Sequence, residues 1–122
     1  MAYNEYLAQR VKDVFNSQNI AFVEKKMFGG WCVMLDEKMC IGVVFHKQLQ
    51  VDVLMCRVHP QQMDELLSMP ECITMEFTGK PMTGFVFVTE DGFRSKKQLE
   101  YWCQICIDFN PLAKKSKKKS TS

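Results

Sequence analysis

The chain is poor in histidine, holds no long apolar run and shows no phosphate-binding fingerprint, and each shortage removes a class of function. Its two histidines, His46 and His59, stand at no metal-ligand spacing, and neither adjoins a serine elbow or a paired-carboxylate motif. A general base or a metal centre would therefore lack its usual partners. No stretch approaches the roughly 20 apolar residues that span a bilayer. The opening MAYNEYLAQR has no basic segment followed by an apolar stretch, so a cytoplasmic protein without membrane contact is expected. No segment repeats, and no GxxxxGK[ST] motif is present.

What is present fits one folded domain. With 122 residues, 47% of them hydrophobic and 25% charged, the chain has enough apolar side chains for one core but not two. The net charge of +2 hides an uneven distribution. Lys114, Lys115, Lys117, Lys118 and Lys119 crowd the end, and without them residues 1–112 carry 11 basic and 14 acidic side chains, a net −3. A body of that sign is not the basic surface that nucleic-acid binding requires. We expect a domain over residues 1–112 and a disordered lysine-rich tail over 113–122, which has nothing to bury. Nucleic acid would be gripped only weakly, through that tail.

Hydrophobic spacing and turn residues suggest the elements. Leu7, Val11, Val14 and Phe15 predict a helix over about residues 3–18, with Asn19 as its stop. Residues 31–35 and 39–45 read as a hairpin joined by Asp36-Glu37-Lys38, and residues 49–58 as a third strand whose alternation fails after Leu54. That failure implies a bulge or a strand end buried on both faces. Pro60 suits the first turn of a short helix through Met63, Leu66 and Leu67. Strands follow at 72–77 and 83–89, then a helix capped by Ser95 that runs to about Phe109. The order α-β-β-β-α-β-β-α, with short turns that enforce antiparallel pairing, predicts one five-stranded antiparallel sheet carrying helices on one side.

Six cysteines, Cys32, Cys40, Cys56, Cys72, Cys103 and Cys106, fall mostly inside apolar runs. In a reducing compartment they act as small hydrophobes rather than disulfides. Cys103-Gln104-Ile105-Cys106 is a CxxC, which reads as a redox dithiol, as half a zinc site, or as core packing. Leu99, Trp102, Cys103, Cys106 and Phe109 share one helical stripe, which favours packing, and a zinc site would need a second ligand pair that is absent. No metal, cofactor or catalytic set is expected.

Arg57 stands in an apolar strand and needs a partner, either an internal carboxylate at Asp52 or Glu76 or an external anion. Gly29-Gly30 and Thr78-Gly79-Lys80 are glycine loops whose backbone amides suit either tight turns or an anion cradle.

Met27-Phe28-Gly29-Gly30, Met39-Cys40-Ile41-Gly42-Val43-Val44, Leu54-Met55-Cys56-Arg57-Val58 and Met75-Glu76-Phe77-Thr78-Gly79-Lys80-Pro81-Met82 occur in this order. Together they resemble the N-terminal domain of the TfoX family, named for a regulator of bacterial DNA-uptake competence, over about residues 10–112. The resemblance implies a two-layer α+β sandwich, secretion-chaperone-like, and a non-catalytic binding or regulatory role. That role would act through a protein partner or a homodimer. It departs from the family where Phe45–Val53 is long, and where competence regulators carry a second domain this chain has the lysine tail. The regulator's function is therefore not carried over. The alternative is a small anionic-ligand domain or minor enzyme using Gly29, Gly30, Arg57, Thr78, Gly79 and Lys80.

Overall fold

The first helix, α1 (Glu5–Ser17), starts where Asn4 turns its side chain back to accept the Leu7 N–H at 3.0 Å. Its buried stripe of Leu7, Ala8, Val11, Val14 and Phe15 follows the expected spacing. Asn19 ends it with a positive φ of 57°, a conformation asparagine tolerates better than most residues. The computed structural model describes residues 3–27, 29–77 and 80–113. The predicted tail, apart from Ala113, lies outside them.

Six strands follow, not five: β1 (Val23–Met27), β2 (Gly30–Leu35), β3 (Lys38–His46), β4 (Val51–Arg57), β5 (Cys72–Phe77) and β6 (Lys80–Val88). The unpredicted strand is β1. Its VEKKM has no apolar alternation, and four of its five residues are exposed. Pairing with β2, from Val23 opposite Met34 to Met27 opposite Gly30, makes it a strand, so its signal is tertiary. The order becomes α-β-β-β-β-α-β-β-α, with α2 (Met63–Leu67) and α3 (Lys96–Phe109).

Every pairing is antiparallel, in the spatial order β1-β2-β3-β4-β6-β5. The first four strands form a meander. Asp36 and Glu37 turn β2 into β3 with positive φ values of 52° and 65°, the two-residue turn that matches strand twist. The chain then passes through Pro60–Gln62 and α2 before laying the β5–β6 hairpin beside β4. The lost alternation in β4 comes from burial on both faces, Val53 to Cys56 all being buried. Register shifts lie instead in β5, between Thr74 and Glu76, and between β2 and β3, where Val33 faces Ile41 and Met34 faces Met39. Cys40 is the extra residue, and with Ile41 it joins the helix-side core.

All three helices pack on one side of the sheet. α3 begins with the predicted Ser95 cap, completed as a reciprocal pair with Gln98, and buries Leu99, Trp102, Cys103 and Cys106. With the α1 stripe these cover Trp31, Val43, Leu54 and Val88, one row across four strands. A buried polar clamp ties the end of α3 to the β2–β3 hairpin. Lys38 Nζ donates to the Asn110 carbonyl at 2.9 Å, and Asn110 Nδ2 donates to the Leu35 carbonyl at 3.3 Å. Lys38 is only 6% exposed, so these bonds and the nearby Asp36 offset the cost of burying its charge.

Candidate functional site

The opposite face of the sheet carries no helix among the described residues. Its own row, Cys32–Gly42–Met55–Phe87, runs across β2, β3, β4 and β6. Six of the nine methionines collect here: Met27, Met34, Met39, Met55, Met75 and Met82. Cys32, Val53 and Met55 are sealed by neighbouring side chains, while Met27, Met34, Met82, Phe85 and Phe87 form a half-buried rim. Gly42 makes room for this arrangement: the Met55 methyl lies 3.2 Å from where a side chain at Gly42 would begin. A thioether is flexible and polarisable, so a methionine face can re-pack around an incoming apolar group.

Among the described side chains, polar groups at this face are few. Arg57 lies over the Phe85 ring at 5.7 Å, and its Nη1 donates to the Met39 carbonyl at 3.5 Å. Burial lowers the Arg57 pKa, with Cys40 acting in the opposite sense. His46 packs edge-on against Phe87, ring centroids 5.4 Å apart. Lys25 pairs across the ladder with Cys32 and so shares this face, at the exposed edge strand.

The six residues singled out from sequence do not gather in one place. Gly29 makes the β1–β2 turn with φ 71°. Gly30 opens β2, where a Cβ would meet the Val43 carbonyl and Val44, so it sits beside the Val44–Val53 pair. Arg57 ends β4, opposite Phe85, four residues along from Val53. At about 3.3 Å per residue, the Gly29-Gly30 turn and Arg57 lie at opposite ends of the sheet. Lys80 opens β6 and pairs with Phe77 beyond the Arg57 end. Thr78 and Gly79 lie outside the described residues, as do the side chains of Glu76 and Lys80. Asp52, one expected partner of Arg57, points to the helix side and accepts from Asn4 Nδ2 at 3.1 Å.

The thiols are positioned as filling. All six are free and buried, five on the helix side and Cys32 under the methionine face. Burial pushes the Cys32 and Cys72 thiols up to about 12, Cys72 with help from Glu71. Burial raises Cys40, Cys56, Cys103 and Cys106 as well. Both cysteines of the CxxC face the core, and Cys106 hydrogen-bonds Cys56. A thiol held neutral is a poor nucleophile. Ellman's reagent at pH 8 is therefore expected to find no fast thiol in the native protein and six after denaturation. A fast native equivalent at Cys103 or Cys106 would restore the redox reading.

Among the described residues, grooves open elsewhere. One, of about 320 Å³, lies between the Pro60 turn and the end of α3, beside His59, Asp108 and Phe109. The other, of about 330 Å³, lies between α1 and α3, where Arg10, Asp13 and Lys96 flank Val14 and Leu99. Neither is lined by any of the six predicted residues. Among the described residues no helix is long and apolar enough to cross a membrane, which says nothing about a barrel.

The sheet, its one-sided helices and its methionine face define a two-layer α+β domain. The chain belongs to the TfoX N-terminal domain family, whose profile matches residues 18–110. No curated protein and no solved structure matches it.

Proposed function

We propose that this domain is a non-catalytic binding module that contacts another protein through the helix-free face of its sheet. The observation that carries this is the division of the core. The helix side is packed under Trp102, Phe15 and the α3 stripe, whereas the far side ends in a rim of half-buried methionine and phenylalanine. An apolar rim left half-covered by its own chain gains free energy when a partner covers it, at about 25 cal/mol per Å² of apolar surface. The buried, neutral thiols support binding over thiol chemistry. A peptide array spanning a range of apolar content tests the proposal, comparing the native domain with the double variant Met34→Glu/Met82→Glu. Thermal unfolding serves as the check that the variant folds. Binding of apolar peptides that drops at least about tenfold in the folded variant is expected. Undiminished binding, or no peptide bound by either protein, would sink the proposal.

The competing small-anion reading keeps Arg57 and the start of β6 at Lys80 on one end of the sheet and gives up the Gly29-Gly30 turn at the other. Any contact with nucleic acid is proposed to be weak and to run through the lysine tail, since the body carries net −3.

A further inference from the structure

The fourteen carboxylates of the chain are not spread evenly over its surfaces. Most lie on α1, α2, α3 or the turns. Three stand on strands, and the side-chain direction is described for two of them, Glu24 and Asp52. Both turn to the helix side. Glu24 accepts from Trp31 Nε1 at 2.9 Å and pairs with Lys12 of α1 at 3.5 Å. Asp52 accepts from Asn4, just ahead of α1, at 3.1 Å. Among described side chains the charges of the methionine face have the other sign: exposed Lys25 at the β1 edge, and Arg57 at the β4 end, over Phe85 and bonded to the Met39 carbonyl. A body with net negative charge thus presents one apolar face on which, among described side chains, every charged group is basic.

From this segregation we infer that the partner on the methionine face is an acidic amphipathic segment of another protein, its apolar side chains on the methionines and its carboxylates toward Lys25 and Arg57. The inference rests on the proposed use of this face for binding. A second copy of the chain fits less well, because two such faces would bring like charges together, and juxtaposed like charges disfavour a complex. Lys25 and Arg57 flank the apolar centre from two sides: Lys25 joins through Cys32 in β2, and Arg57 stands at the far end of β4. Carboxylates on either flank of an apolar stretch would be steered to them, and the methionines would adapt to the side chains between.

Methionine methyl NMR reads this directly, because Met63 and Met69 pack on the helix side and act as internal controls. The probes are a synthetic amphipathic peptide with Leu and Phe on one face and Glu on the other, and its counterpart with Lys in place of Glu. The expected result is that the Glu peptide shifts the Met27, Met34 and Met82 methyls while Met63 and Met69 stay put. It should bind about tenfold more tightly than the Lys peptide at low salt, and the gap should narrow as salt rises. Lys25→Glu, at an exposed site, should weaken the Glu peptide about fivefold without unfolding the domain. Equal binding of the two peptides overturns the acidic partner while leaving the face as a binding surface. Face methyls that move only with protein concentration also overturn it, in favour of a second copy. Face methyls that no peptide and no dilution move would bring down the proposed function itself.

Discussion

Raising the pH from 8 to 10 is expected to strip this domain of a large part of its folding stability. A solvated thiol titrates at 9.0, whereas Cys32 and Cys72 are held up to about 12 by burial. Because the folded value is the higher one, the stability of the neutral, buried thiol is fully present below 9.0 and is lost as the pH climbs from there toward about 12. At pH 10 the unfolded chain gains about 1.4 kcal/mol for each thiol that ionises there and not in the fold. Cys32 and Cys72 alone then remove about 3 kcal/mol, and the other four buried thiols shift in the same direction. Small domains have only about 5–15 kcal/mol to lose. Guanidinium unfolding midpoints should form a plateau below about pH 8 and fall steeply above about pH 9, and Cys72→Ala should make that fall shallower. A flat profile to pH 10.5 would mean that the thiols ionise within the fold.

The two adjacent glycines are expected to respond very differently to one added methyl. In Gly30→Ala the new Cβ would lie 2.4 Å from the Val43 carbonyl oxygen and 2.6 Å from Val44 Cγ1. The carbonyl belongs to the backbone of β3 and cannot swing aside, so β2 and β3 must separate. We expect a loss of about 3 kcal/mol or more, seen as a Tm lower by about 12 °C or more. Gly29→Ala meets nothing within 4 Å and has only its φ of 71° to contend with, a cost of about 1 kcal/mol. Thermal unfolding of the two variants side by side is the measurement. If Gly29→Ala proved the more damaging, β2 and β3 would not approach as described. The pair looked like one loop in sequence, but one glycine serves a turn and the other a close approach of strands.

That contrast recurs along the chain. The α3 stripe was legible because helical spacing depends only on the order of residues, and Ser95 with Gln98 marked where the helix begins. The β2–β3 hairpin was legible for the same reason, since its turn lies in two adjacent residues, Asp36 and Glu37. β1 was not, because VEKKM becomes a strand only by pairing with a neighbour. Lys38 read as part of a polar turn, yet it is buried against Asn110, 72 positions away, a contact no local pattern announces.

For the candidate site the division is similar. Nine methionines, six cysteines and a net-acidic body were plain in the sequence, as was the family resemblance. That six of those methionines would share a face with no helix on it was not, because a strand's inner and outer rows are told apart only by what packs on each. The antiparallel α+β class and the absorption of the cysteines into the core follow from residue order alone, since short turns and apolar runs are properties of neighbouring residues. Tertiary structure alone decided that Glu24 and Asp52 turn toward α1, leaving Lys25 and Arg57 as the described charges beside the methionines. Strand register decides which side of a sheet a side chain faces, and one residue of slip, such as the bulge at Cys40, reverses it.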